Sequence, residues 1–136
     1  MILEGKKILL VEDDIFIGDM LVRKLMVEGA LCVQALNGQE GLSKFNENNG
    51  NFDAILTDIM MSKMDGYEFV VELKKDSRAQ SLPIIDLTNK SSVTPQTERI
   101  KELGIDGMFI KSSTALHELM QEIAKIIEKK QAEKVH

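Results

Sequence analysis

The sequence has one cysteine, Cys32, and two histidines in 136 residues. A single thiol builds neither a disulfide framework nor a cysteine metal site, and Cys32, inside an apolar stretch, reads as a small buried hydrophobe. No apolar run approaches the ~20 residues that cross a bilayer, and the N-terminus lacks the pattern of a secretory signal. These absences predict a cytoplasmic protein without membrane contact. A basic surplus is missing too: 17 Lys and Arg stand against 22 Asp and Glu, a net charge of −5. Binding a phosphate backbone needs a dense basic face, whereas the cations here are scattered, so direct nucleic-acid binding is not expected. Repeats, low-complexity tracts and internal linkers are also absent, and the length suits one domain with one core.

What the chain does have is alternation. Short apolar runs recur at 8–11, 31–35, 54–56, 84–87 and 108–110, separated by stretches with helical spacing. The spacing predicts a helix over 15–28 with Ile17, Met20, Leu21 and Leu25 inward and Gly29 as its stop. A second is expected over 39–48 on Leu42 and Phe45, and a third over 66–75 on Phe69, Val70 and Leu73. A fourth, over 94–103, has Thr94 as N-cap and Pro95 at its first position, but only Ile100 and Leu103 as strong apolar contacts. The last helix, 115–130, carries the clearest stripe: Leu116, Leu119, Met120, Ile123, Ile126 and Ile127. Core packing accounts for its first half, while at Ile126 and Ile127 core packing and a partner surface are equally open. Residues 1–130 are expected to form the domain, with 131–136 a frayed tail or linker stub.

Strands alternating with helices predict an α/β fold, a doubly wound five-stranded parallel sheet covered on both faces. Right-handed crossovers fit the order 2-1-3-4-5, a flavodoxin-like (βα)5 arrangement. In that order the first and third strands are neighbours at the switch point. Glu12 and Asp13 follow the first strand and Asp58 follows the third, so three carboxylates meet in one crevice. Crowded carboxylates repel, and a divalent cation resolves the conflict. Hard oxygen donors without histidine or thiol point to Mg²⁺. Asp13 or Asp14 could also simply cap the following helix, a reading that explains any one acid but not the set at matched strand ends. Mg²⁺ at such an edge serves phosphate chemistry, which needs neutralised charge and positioning. The fourth strand ends at Thr88, a hydroxyl donor for a phosphoryl oxygen, and the fifth at Lys111, a point charge suited to phosphate. Asp58, central among them, is the natural nucleophile for an aspartyl phosphate.

Read together, ILLVEDD, LTDIMMSKMDG, PIIDLT and FIK, in that order and spacing, resemble the receiver domain of bacterial response regulators over about residues 6–128. The resemblance implies a two-component signalling module that takes a phosphoryl group from a phosphohistidine on a sensor histidine kinase or phosphotransfer protein. It implies Asp58 as phosphoacceptor, with Glu12, Asp13, Asp58 and the backbone carbonyl of Met60 holding Mg²⁺. It also implies that Lys111 pairs with the phosphoryl group, that Thr88 is the switch hydroxyl, and that Asp14 has no metal role. Such a domain turns over no external substrate. Kinase contact is expected near the first helix and the loop around Lys111, and homodimerisation through the fourth and fifth elements.

Four positions depart from the family pattern. Ser112 stands where the family has a proline after a cis bond, and a cis bond before a non-proline residue costs ~2.5–4 kcal/mol, so a trans bond is expected. Ser62 replaces the proline of the loop after Asp58. Met108 occupies the place of a switch aromatic, with Phe109 on the opposite face of a regular strand, so output is expected through the fourth helix by another packing change. Asp86 puts a charge in PIIDLT, where burial without a donor is costly. The expectation is that the fourth helix stands away and admits water to it, in preference to a donor such as Asn89 or Lys90. These departures motivate the alternative of a receiver-like binding module that signals without phosphorylation. A Mg²⁺ phosphatase or a flavodoxin fits less well: the first wants an acid at Met60, the second a glycine- and hydroxyl-rich loop where Glu12 to Asp14 stand.

Overall fold

Five short runs rich in Ile, Leu and Val form β1 (Lys7–Val11), β2 (Leu31–Ala35), β3 (Ala54–Thr57), β4 (Ile84–Thr88) and β5 (Gly107–Ile110). Every pairing is parallel, and the sheet order is β2-β1-β3-β4-β5, as the alternation predicts. Among the described residues the helices are α1 (Ile15–Val27), α2 (Gly38–Glu47), α3 (Gly66–Lys74) and α4 (Leu116–Lys134), with a 3-10 turn at Ser77–Ala79. The computed structural model describes residues 1–58, 66–88, 102–111 and 114–134. Thr94, Pro95 and Ile100 of the expected fourth helix therefore lie outside the described residues, as do Met60, Ser62, Asn89, Lys90 and Ser112.

Because successive strand residues point to opposite faces, the sheet sorts its side chains into two cores. Ile8, Leu10, Leu56, Ile85 and Leu87 pack against Leu21 and Leu25 of α1 and against Leu119, Met120, Ile123 and Ile127 of α4. Leu9, Val11, Ile55 and Ile84 pack on the other side against Phe45 of α2 and Phe69, Val70 and Leu73 of α3. Two aspartates tie the strand starts at the edge away from the acids. Asp53 Oδ2 accepts from the Lys7 N–H at 2.8 Å, and Asp106 Oδ2 accepts from the Ile84 N–H at 2.9 Å. Cys32 is partly buried against the first core, and burial pushes its thiol up to about 12, so it is the inert hydrophobe expected.

Several expectations need correcting. Met20, expected inward on α1, is 49% exposed. The inward face instead uses Gly18, Leu21 and Leu25, because 3.6-residue periodicity places Met20 well round from that line. At the end of α4 the stripe belongs to the core: Ile127 is buried, and Ile126 packs against the same cluster. An added Cβ on Gly107 would lie 2.7 Å from Ile126 Cδ1, so the glycine makes room for that helix. The helix also runs on through Lys134, past the expected end at 130. EKKQAEK holds strong helix formers and neither Gly nor Pro to stop it. Ile127→Ala is expected to cost about 2–4 kcal/mol in denaturant unfolding, by loss of burial plus a residual cavity. Met20→Ala is expected to stay within about 0.5 kcal/mol.

Candidate functional site

The carboxyl ends of β1 and β3 place the acids. Val11 pairs with Thr57 across the sheet, so the residues that follow these two leave the sheet side by side. The Glu12 N–H donates to the Ala35 carbonyl at 3.0 Å and the Asp58 N–H to the Val11 carbonyl at 3.1 Å, which fixes both backbones. Asp14 caps α1: its side chain accepts from the Ile17 N–H at 3.0 Å, while its own N–H donates to Glu12 Oε2 at 3.1 Å. The capping role thus falls to Asp14, and Asp13 is left for the pocket. Oxygens of Glu12, Asp13 and Asp58 lie within 4.8 Å of one another, as a shared cation requires.

Lys111 follows β5, whose end is bound to that of β4 by a 2.8 Å hydrogen bond from the Lys111 N–H to the Thr88 carbonyl. Its ammonium donates to Asp58 Oδ2 at 2.7 Å and also to Glu12 Oε1. The lysine, Asp58 and Glu12 side chains are all at least nine-tenths buried. Sequence reasoning placed Lys111 for an incoming phosphate but missed its pairing with Glu12. No local signal could have shown it, since the two lie at opposite ends of the chain.

The electrostatics follow from three acids and one cation in a pocket where Glu12, Asp58 and Lys111 are buried and Asp13 is half-buried. Burial, reinforced by the Asp58 charge, pushes the Glu12 carboxyl up to about 7 against the opposing pull of Lys111. Burial lowers the Lys111 ammonium, but hydrogen bonds to Asp58 and Glu12 outweigh it and hold its pKa above the ordinary lysine value. The pocket therefore retains a shortage of positive charge. Thr88 is buried at the end of β4. Asp86 is 1% exposed, which overturns the expectation of water standing against it. Asp86 pairs in register with Met108, and Leu87 with Phe109. Phe109 packs on the α1 and α4 side, so Met108 shares the face of Asp86, as strand alternation requires.

A family model described as the response regulator receiver domain matches residues 8–124. The chain belongs to that family. Among curated relatives, the probable transcriptional regulator ycf27 of Cyanophora paradoxa is 37% identical over 82% of this chain and 44% of its own length. The sensor histidine kinase CheAY of Helicobacter pylori is 35% identical over 69% of this chain and 12% of its own. The chain spans less than half the length of these relatives. Among solved structures, the Vibrio cholerae chemotaxis protein CheY4 superposes with a TM-score of 0.80 at 29% identity, covering 89% of this chain and 98% of that one. A CheY-like receiver domain protein from Methanospirillum hungatei JF-1 gives 0.82 at 26% identity, covering 94% and 98%. No helix among the described residues is long and apolar enough to cross a membrane.

Proposed function

We propose that this receiver domain accepts a phosphoryl group on Asp58 in a Mg²⁺-dependent reaction, with a sensor histidine kinase or phosphotransfer protein as donor. The observation that carries the reading is the meeting of Glu12, Asp13 and Asp58 oxygens within 4.8 Å, with Lys111 on Asp58. An all-oxygen donor set suits Mg²⁺, and a Glu12 carboxyl raised to about 7 marks a pocket short of positive charge. Glu12, Asp13 and Asp58 would hold the ion, with the carbonyl of Met60 completing the set on the family resemblance. When bound, Mg²⁺ supplies charge neutralisation to the transferring phosphoryl oxygens.

The residues of the chain divide the remaining work. An Asp58 carboxylate oxygen attacks phosphorus in line as the bond from phosphorus to the donor histidine nitrogen breaks, and the imidazole leaves with that bonding pair. Lys111, moved off the attacking oxygen, balances charge on the phosphoryl group. Thr88 offers its hydroxyl to a phosphoryl oxygen from the end of β4. Hydrolysis of the acyl phosphate resets the domain, so the only turnover is its own phosphorylation and dephosphorylation.

Incubating the chain with a small-molecule phosphoryl donor and Mg²⁺ tests the reading: one adduct by intact mass supports it. No adduct favours a binding module that signals without phosphorylation. Lys111→Ala is expected to separate the two roles of that residue. Mg²⁺ should bind roughly tenfold tighter by calorimetry, because a competing cation is gone, while phosphoryl uptake falls sharply. Unchanged Mg²⁺ affinity would count against the shared pocket.

A further inference from the structure

Asp86 is a buried carboxylate that the phosphoryl chemistry leaves without a task. It is 1% exposed, and both of its carboxylate oxygens are closed to solvent. Strand register sets it in a row across the sheet, Val11 with Thr57, Thr57 with Asp86 and Asp86 with Met108, and Thr57 is the residue just before Asp58. Ile84 of the same strand packs in the α2 and α3 core, so alternation puts Asp86 and Thr88 on that face too. β4 is buried along its whole length, whereas every residue of β5 is half-buried and β5 is an edge of the sheet. Along the sheet, the short way from Asp86 to solvent is therefore across Met108, since β3, β1 and β2 all lie on the other side. Met108 is unbranched and flexible, and so can yield that path.

A carboxyl group in such a place costs free energy even where donors meet it, and it gains on reaching water. A fold that holds one there is biased toward any second state that opens a path to solvent. Phosphorylation gives a reason to open at this point. Thr88, which offers its hydroxyl to a phosphoryl oxygen, lies on the same strand face as Asp86 with only Leu87 between them. Drawing Thr88 toward Asp58 pulls on the end of β4 beside β5. Taking Asp58 as the phosphoryl acceptor, on which this step depends, we infer that Asp86 couples phosphorylation to a change of shape: in the phosphorylated chain its carboxylate turns out past Met108 to water at the β5 edge. Asp86 is then a positioning residue that touches no reacting atom. Its hydration favours the phosphorylated arrangement, and by reciprocity removing the carboxylate weakens that arrangement. Unmodified and phosphorylated chains thus present different surfaces at the β5 edge.

Calorimetric titration of the full chain with Mg²⁺ and beryllium trifluoride, a noncovalent phosphoryl mimic, reads the coupling. Asp86→Leu should weaken binding of the mimic about tenfold or more. The same variant should raise the melting temperature of the unmodified chain, because an apolar side chain replaces a buried carboxylate. Asp86→Asn, which keeps the shape and loses the charge, should move both quantities the same way by less. In methionine-methyl NMR spectra of the parent, the Met108 signal, identified by its loss in Met108→Leu, should shift when the mimic saturates. In Asp86→Leu it should stay at its unmodified position. Intact mass of the parent after incubation with a small-molecule phosphoryl donor and Mg²⁺ is read beside these. An adduct on the parent together with unchanged mimic affinity in Asp86→Leu would overturn the coupling alone. A lower melting temperature in both variants would make Asp86 a structural prop and overturn it too. No adduct on the parent would remove the acceptor reading, and the coupling with it.

Discussion

Asp58→Asn is expected to abolish phosphoryl uptake completely while leaving the chain folded. Asp58 is the acid whose backbone is pinned to Val11 and whose carboxylate is reached by Lys111 at 2.7 Å. The amide keeps the size and the hydrogen-bonding carbonyl but offers no anionic oxygen to attack phosphorus. Fold retention follows from the charge count of the pocket, where three carboxylates share one ammonium. Removing one carboxylate relieves repulsion and leaves Lys111 with Glu12, so the melting temperature of the apo variant should equal or exceed that of the parent. Intact mass after incubation with a small-molecule donor and Mg²⁺ reads the first effect, and a thermal melt reads the second. An adduct that persists in Asp58→Asn would move the acceptor to another residue.

Mg²⁺ affinity should depend steeply on pH near neutrality. A ligand must shed its proton to bind metal, and the Glu12 carboxyl titrates at about 7 rather than at its ordinary value of 4.5. Below about 7 each unit of acid should therefore weaken apparent binding by up to about tenfold, and above it the affinity should level off. Folding of the apo chain should show the opposite trend. A carboxyl whose folded pKa is raised contributes stability that is fully present below the unfolded value and is lost as pH rises through the folded one. Without metal, stability should fall across the window from about 4.5 to about 7, and saturating Mg²⁺ should cancel or reverse that fall. Glu12→Gln should flatten both profiles. Calorimetric titrations and denaturant melts at matched ionic strength check the pair, and an apo stability that climbs steadily across the window would contradict the assignment to Glu12.

The two expectations rest on different parts of the pocket and can fail separately. Loss of the adduct in Asp58→Asn tests where the phosphoryl group goes. The pH profile tests whether Glu12 and Lys111 share a buried site with a place for a cation. A chain that binds Mg²⁺ with the expected profile but takes no phosphoryl group would be a receiver fold kept for binding.

Much of this protein is legible in its residues alone. Strand positions follow from apolar runs, sheet order from chain connectivity, and the acid pocket from the switch point that this order creates. The grouping of Glu12, Asp13 and Asp58 needs only β1 beside β3. Periodicity is a weaker guide where a helix face is crowded with apolar residues. On α1, Met20 and Leu21 are adjacent in sequence and both apolar, yet only Leu21 enters the core. On α4 the far end of the stripe looks free in the sequence because spacing cannot show that Gly107 leaves space for Ile126.

Periodicity and connectivity are properties of the chain, so the fold, the strand ends that carry chemistry and the residue types that meet there are already written in its sequence. Packing in three dimensions was needed to give Asp14 the cap and leave Asp13 to the pocket, to bridge Asp58 and Glu12 with Lys111, to cover Asp86 and to leave Phe16 in solvent. Each of those outcomes depends on distances between residues remote in sequence and on how much water reaches them. Burial and charge balance exist only once the elements are packed.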